Sequence, residues 1–193
     1  MSLEFAIWMF AFAFTAPLQR FFSRFRPLPT FFFVGFFVGI LAELFAVFGN
    51  LDVPLGEKVM LSQDPGTDLF FGIFYYGLLM LVWTFVVRRY RYTGKEIFVL
   101  AGLLGIATEE VGGVFMNMIA NPLVGVPYEF IVFCVYGIFP YVAFLMTKGR
   151  ISASQPNAGK LKRYGMAILG QFIFIALYGN YVLPFLREMF EGG

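Results

Sequence analysis

Two segments of the chain place the same three residue types at the same spacing on an apolar background. Residues 43–50 read ELFAVFGN and residues 110–117 read EVGGVFMN. Residues at positions i, i+3 and i+7 share one face of an α-helix, so each segment turns a carboxyl group, a small residue and an amide in the same direction. A carboxyl group in such apolar surroundings is typical of a functional acid inside a membrane, because it is costly to keep there.

The apolar segments contain other acids, amides and tyrosines that could take part in the same site. No lysine or arginine is close in sequence to Glu43 or Glu110, so we expect these acids to be protonated, bound to a cation or exposed to a water-filled cavity. The predicted catalytic residues are Glu43, Asp68, Glu110 and Glu129, and the predicted binding residues are Glu109, Asn50, Asn117, Asn180, Tyr76 and Tyr136.

The composition predicts that membrane-spanning helices position these residues. The chain of 193 residues is 60% hydrophobic and 13% charged, whereas a soluble domain has about 25% charged residues. Its apolar segments approach the roughly 20 residues that a spanning helix needs. We expect an all-α polytopic membrane bundle that forms a single domain. The six predicted spans are residues 3–19, 29–50, 68–87, 96–120, 128–147 and 164–186.

The distribution of positive charge predicts the orientation of the bundle. Of the 14 lysine and arginine residues, all except Lys58 and Arg187 fall in three alternate connections, which are residues 20–26, 88–95 and 148–163. The positive-inside rule assigns these connections to the cytoplasm. Both termini then lie outside, in a multi-pass protein of the cytoplasmic or inner membrane. The second and fourth spans run outward, which brings Glu43 and Glu110 into the outer half of the bilayer.

The pairs of spans that carry the two acid segments show a further similarity. Residues 70–77 read FFGIFYYG and residues 130–137 read FIVFCVYG, so both follow the pattern Phe-x5-Tyr-Gly. This pattern predicts a parallel duplication of a two-helix hairpin, about an axis along the membrane normal. In a chain with 28 phenylalanines, chance matching is the alternative explanation.

Several kinds of chemistry are excluded by the residues themselves. The chain has no histidine, which removes metal and haem ligation by imidazole, and its single cysteine, Cys134, permits neither an internal disulfide nor a cysteine-based metal site. No nucleotide-binding loop and no hydrolase nucleophile motif occurs. We therefore expect no metal and no cofactor. The basic residues are split among three short connections, so we expect no nucleic-acid binding.

One short segment resembles a known family. Residues 126–133, VPYEFIVF, resemble the Pro-x-Glu-Glu-x-x-x-Phe stretch of membrane-embedded lycopene cyclases, and residues 68–71 form the matching half. The resemblance implies a duplicated helical bundle in which acids at helix starts, here Glu129 and Asp68, act on a carotenoid. The chain departs from the pattern at Phe130, where the family has a second glutamate.

Three classes of function remain open at this point. The first is acid-catalysed cyclisation or isomerisation of a lipid-soluble isoprenoid, since a protonated carboxyl in a dry site adds a proton to an olefin and each aromatic face stabilises the resulting cation by about 0.5–2 kcal/mol. The second is transport or binding of a cation, a proton or an amine. The third is a non-catalytic subunit of a larger membrane complex.

These classes imply different partners, and the acids also have purely structural explanations. The predicted partners are membrane lipid, a small apolar or cationic ligand, and either a second copy of the chain or other subunits of a membrane complex. In the structural interpretation, the carboxyl groups of Glu43 and Glu110 would form hydrogen bonds to a neighbouring helix. In the same interpretation Asp68 would be a helix N-cap, and Glu129 would be favoured by the dipole at a helix start.

Overall fold

The computed structural model describes residues 9, 12–52, 61–109, 113–147, 150–153 and 155–192. Within these ranges the chain is helical and contains no strand, which confirms the all-α expectation for this part of the protein. The helices are α1 (Thr15–Phe22), α2 (Pro27–Gly49), α3 (Pro65–Arg89), α4 (Gly94–Thr108), α5 (Gly113–Ala120), α6 (Pro122–Met146), α7 (Arg150–Ala153), α8 (Lys160–Leu177) and α9 (Leu183–Arg187).

Four helices in the described part of the chain are long and apolar enough to cross a membrane. They are Pro27–Gly49, Pro65–Arg89, Pro122–Met146 and Lys160–Phe190, and the last of these joins α8 to α9. They overlap the second, third, fifth and sixth predicted spans, and their ends differ from the predicted ends by one to six residues. The first three begin with proline, which suits the first turn of a helix because no intrahelical partner is available for an N–H group there.

The fourth predicted span, residues 96–120, differs from the prediction of one continuous helix. Helix α4 ends at Thr108, because Glu109 adopts an extended backbone with ψ of 131°. Helix α5 begins at Gly113, and residues 110–112 lie outside the described part of the chain. Glycine inside a helix costs about 0.5–1 kcal/mol relative to alanine, so Gly112 and Gly113 favour an interruption here. Most of the first predicted span, residues 3–19, also lies outside the described residues.

Five of the helices pack in a closed ring. Helix α2 packs on α3, α3 on α8, α8 on α4, α4 on α6, and α6 on α2. The interior of this ring holds the main apolar core, which includes Phe31, Met80, Trp83, Phe139 and Ala143. Large apolar side chains also cover the outside, as expected for a surface that meets lipid; examples are Phe33, Phe37, Phe85, Phe130 and Phe172.

One end of the ring is fastened by an ion pair between α4 and α8. Thr93 and Glu96 form a capping box at the start of α4, each side chain accepting a backbone N–H of the other residue. Arg163 on α8 donates through both terminal nitrogens to the Glu96 carboxylate, with a closest distance of 2.8 Å, and the Tyr164 hydroxyl donates to the same group at 3.0 Å. Glu109 caps the opposite end of α4.

The final helix contains a π-helical turn at Tyr178–Val182. Pro184 has no N–H group to donate to the carbonyl of Asn180, and a wider turn accommodates the missing hydrogen bond. Tyr178 is buried at this turn, and its hydroxyl donates to the carbonyl oxygen of Phe71 on α3 at 3.3 Å. The π-helical turn therefore positions Tyr178 against α3.

Candidate functional site

The first part of the site is a contact between Glu43 on α2 and Tyr76 on α3. The Tyr76 hydroxyl donates to Glu43 Oε2 at 2.9 Å. Gly39, one turn before Glu43, makes this approach feasible, because a Cβ atom at Gly39 would lie 2.4 Å from a Tyr76 ring carbon. Gly72 makes room for the acid itself, since a Cβ there would lie 2.9 Å from Glu43 Cγ. Gly39 and Gly72 therefore allow Tyr76 and Glu43 to pack against each other, and these four residues form a Glu–Tyr seat.

Asp68 lies one helical turn before Gly72 and completes a pair of acids. Its side chain is within hydrogen-bonding reach of the Glu43 carboxyl, and the residue is only 1% exposed. Asp68 Oδ1 also accepts the backbone N–H groups of Leu61 and Ser62, which tie the preceding loop to α3. The N-cap of α3 is Asp64, whose side chain accepts the Thr67 N–H at 2.7 Å. The interpretation of Asp68 as an N-cap is therefore wrong.

The proximity of these two carboxyl groups has a chemical consequence. Two carboxylates repel each other, whereas a proton on one of them allows it to donate a hydrogen bond to the other. In the part of the chain that the structure describes, neither Glu43 nor Asp68 forms an ion pair with lysine or arginine that would offset a double negative charge. A hydrogen bond between the two carboxyl groups requires one of them to carry a proton.

A second seat of the same design joins α4 to α6. The Tyr136 hydroxyl donates to Glu109 Oε2. Gly105, one turn before Glu109, would place a Cβ atom 2.4 Å from Tyr136 Cβ and Cγ. The two seats share a sequence signature, because residues 39–43 read GILAE and residues 105–109 read GIATE. In both, a glycine admits the tyrosine ring and a glutamate four residues later accepts its hydroxyl.

Tyr75 connects the two seats, through a hydrogen bond to one tyrosine and a ring contact with the other. Tyr75, next to Tyr76 on α3, donates to the Tyr136 hydroxyl at 3.0 Å, and the rings of Tyr75 and Tyr76 meet edge to face with centroids 5.1 Å apart. Glu109 is also close enough to act electrostatically on Glu43. The surrounding side chains are aromatic, with Phe139 against Tyr76 and Tyr136, and Phe174 and Tyr178 against Tyr75.

Glu129 lies seven residues after the start of α6 at Pro122, so the interpretation of Glu129 as an acid at a helix start is wrong. It is 7% exposed, and its Oε1 atom has no hydrogen-bond partner among the described residues. It precedes Tyr136 by seven residues and so lies on the same helix face, two turns away. Asp68 precedes Tyr75 by the same interval. A buried acid therefore lies two turns before a network tyrosine on each of the two helices.

The predicted amides are not brought into the network where the structure describes them. The Asn50 amide donates to the carbonyl of Ala46 in its own helix at 2.8 Å, and the Asn180 amide donates to Ala176 on an exposed surface at 3.0 Å. Asn117 lies on α5, but its side chain is outside the described part. Glu110 also falls outside the described residues.

The structure thus brings together five residues predicted from the sequence, which are Glu43, Asp68, Glu109, Tyr76 and Tyr136. Tyr75 and the glycines Gly39, Gly72 and Gly105 were not among the predicted site residues. The repeated Gly-Ile-x-x-Glu pattern contains Gly39 and Gly105, and it aligns Glu43 with Glu109, one residue before the alignment based on Glu110. One residue turns a helical side chain by about 100°, so this register decides which acid meets Tyr136.

Within the described ranges, no group of three or more His, Cys, Asp or Glu residues has a geometry that could hold a metal ion. Comparison of the chain with protein-family models, with characterised proteins and with solved structures yielded no match. The geometry of the acids and tyrosines is therefore the basis for assigning a function.

Proposed function

We propose that this protein is an intramembrane acid catalyst that protonates a lipid-soluble unsaturated isoprenoid and so promotes its cyclisation or isomerisation. In this proposal the chain crosses the membrane six times with both termini outside, and the network lies in the outer half of the bilayer. The observation that carries the proposal is the contact between the carboxyl groups of Glu43 and Asp68, which a shared proton stabilises.

The two acids have different access to their surroundings. Glu43 is half-buried, whereas Asp68 is 1% exposed and is held by two backbone N–H groups. We therefore assign proton donation to Glu43 and assign Asp68 the role of holding and orienting the shared proton. Tyr76 donates to Glu43 and would stabilise the negative charge that appears on it after proton transfer.

The proposed reaction uses only groups of this chain and its substrate. The π electrons of a substrate double bond take the proton from Glu43, which forms a C–H bond and leaves a carboxylate and a carbocation. A second double bond then attacks the cation in a cyclisation, or the cation persists without ring closure in an isomerisation. Loss of a proton from a neighbouring carbon back to the carboxylate forms a new double bond, so the product is an isomer of the substrate.

The environment of the acids suits such a cation. The rings of Tyr76 and Phe139 lie beside the network, and an aromatic face stabilises a cation by about 0.5–2 kcal/mol. The resemblance of residues 126–133 to lycopene cyclases supports the same substrate class, and Glu129, which the resemblance implicates, is a buried acid.

Expression of the gene in cells that produce acyclic carotenoids and related isoprenoids tests the proposal. Lipid extracts analysed by liquid chromatography and mass spectrometry should contain an additional compound with the mass of its precursor. The compound should be absent when Glu43→Gln or Asp68→Asn is expressed at the wild-type level. Glu188→Gln, which changes an exposed acid near the end of the chain, is the matched control and should retain the activity. Unchanged product in both Glu43→Gln and Asp68→Asn would refute the assignment.

A second candidate function is the movement of protons or small cations. The continuous hydrogen bonds from Tyr75 through Tyr136 to Glu109 favour it, because a chain of hydroxyl groups that ends on an acid is able to relay a proton. Protein reconstituted in liposomes with an internal pH indicator would then show proton flux that Glu109→Gln abolishes. Isomer formation without flux supports the catalyst, and flux without isomer formation supports the transporter.

A further inference from the structure

A small cavity lies inside the helix ring, next to the tyrosine network. Its volume is about 10 Å³, which is about the room that one water molecule needs. Helices α3, α4, α6 and α8 all contribute to its wall. The polar residues in the wall are Tyr75, Tyr136 and Gln171, and the aromatic apolar residues are Trp83, Phe139 and Phe174.

Gln171 supplies a second and independent observation. It is 4% exposed, and in the described part of the chain its Nε2 atom has no hydrogen-bond partner. A buried N–H donor without an acceptor is strongly disfavoured, and buried polar groups of folded proteins are nearly always paired with protein or with ordered water. The residue that carries this unpartnered donor is thus also part of the wall of a cavity of water size.

We propose that this cavity is a binding site for one ordered water molecule, which accepts a hydrogen bond from Gln171 Nε2 and donates to the Tyr75 hydroxyl. The Tyr75 hydroxyl already donates its only proton to Tyr136, and so it is free to accept. Tyr136 in turn donates to Glu109. The water makes α8 part of a chain of four hydrogen bonds that run from Gln171 to Glu109 in one direction.

This direction has a consequence for Glu109. Every hydrogen bond from Gln171 to Glu109 is donated in the direction of the Glu109 carboxyl group. The water and Gln171 therefore support a negative charge on Glu109 through Tyr75 and Tyr136. Gln171 is in this respect a positioning residue, which acts on the acid without touching it. The water site depends on the cavity and on Gln171, and it stands whichever reaction the carboxyl groups perform.

Radiolytic hydroxyl-radical footprinting of the full-length protein in lipid nanodiscs tests the site. Radicals generated from a bound water oxidise the side chains that touch it, so Tyr75 and Tyr136 should be oxidised although they lie inside the bundle. Tyr92, a tyrosine that is 1% exposed and outside the cavity wall, is the internal control and should be oxidised much less. Oxidation of Tyr75 and Tyr136 no greater than that of Tyr92 would overturn the proposal.

Gln171→Met provides a second measurement, because methionine keeps the approximate size of the side chain and removes its donor. With a bound water, the variant loses a hydrogen bond, and both its Tm and the oxidation of Tyr75 and Tyr136 should fall. If the amide is simply unpaired in the wild type, removal of a costly donor should raise the Tm. A higher Tm, or unchanged oxidation of the two tyrosines, would contradict the proposed water site.

Discussion

Replacement of Gly39 by alanine tests how the site is assembled. The added methyl group would lie 2.4 and 2.7 Å from two carbons of the Tyr76 ring, and the ring is too rigid to yield as a flexible side chain would. Tyr76 must then move away from α2, which lengthens its hydrogen bond to Glu43. The substitution should therefore impair both the packing of α2 on α3 and the polar contact.

The expected magnitude follows from two opposing effects. Overpacking of a well-packed site costs about 1–3 kcal/mol, while replacement of a helical glycine by alanine gains about 0.5–1 kcal/mol in backbone entropy. The net loss for Gly39→Ala should be about 0–2.5 kcal/mol. Gly165 lies in α8 with no atom within 4 Å of the position of its Cβ, so Gly165→Ala should show only the gain.

Equilibrium unfolding in mixed detergent micelles measures the free energy of unfolding of both variants. The difference between them isolates the overpacking and should be about 1–3 kcal/mol. Gly35→Ala is a further comparison, because its methyl group meets mainly the end of the flexible Met80 side chain and should cost less than Gly39→Ala. If Gly39→Ala is as stable as Gly165→Ala, Tyr76 does not depend on that glycine and the proposed seat is wrong.

Three further predictions concern other parts of the network and the ends of the helices. Tyr136→Phe removes both the donor to Glu109 and the acceptor for Tyr75, so its free energy of unfolding should fall by about 1–3 kcal/mol. The fall should be smaller for Tyr75→Phe. Equal stability of Tyr136→Phe and wild type would contradict the network. Glu96→Gln or Arg163→Met alone should lower the free energy of unfolding by about 3–5 kcal/mol, because each leaves a largely buried charge without its partner. The double variant should lose less than the sum of the two single losses. Strict additivity would show that the ion pair contributes nothing. Hydrogen bonds from Thr67 hold the pKa of Asp64 below its usual range. This stabilisation is present above the unfolded-state pKa of roughly 3.9 and is lost as the pH falls through the lower folded-state pKa. The Tm should therefore drop less on acidification in Asp64→Asn than in the wild type, and parallel pH profiles would count against the cap.

Much of the helical architecture could be predicted from the sequence, because the length of an apolar span follows from the thickness of a bilayer. This constraint locates α2, α3, α6 and the final helix with ends that differ by one to six residues from the predicted ones. It does not detect the end of α4 at Thr108, since the apolar character of the chain resumes directly after the acids at 109 and 110. A hydropathy profile averages over such a break, so it shows one apolar segment where the backbone forms two helices.

The acids of the site were predictable because a carboxyl group is rare in an apolar helix. Their partners were harder to predict. The match between Asn50 and Asn117 favoured Glu110 as the equivalent of Glu43, whereas the Asn50 amide binds its own helix and Glu109 accepts from Tyr136. Gln171 has no repeated pattern around it, and only the cavity that its helix forms with three others gives it a role.

The proposed function requires one carboxyl group of the Glu43–Asp68 pair to carry a proton. Infrared spectroscopy of the protein in lipid nanodiscs measures this directly, since a protonated carboxyl group has a C=O absorption distinct from that of a carboxylate. We expect such a band in the wild type, and we expect Glu43→Gln and Asp68→Asn each to remove it or change its frequency, while Glu188→Gln leaves it intact. A wild-type spectrum without the band, or a band that is identical in all three variants, would contradict the claim.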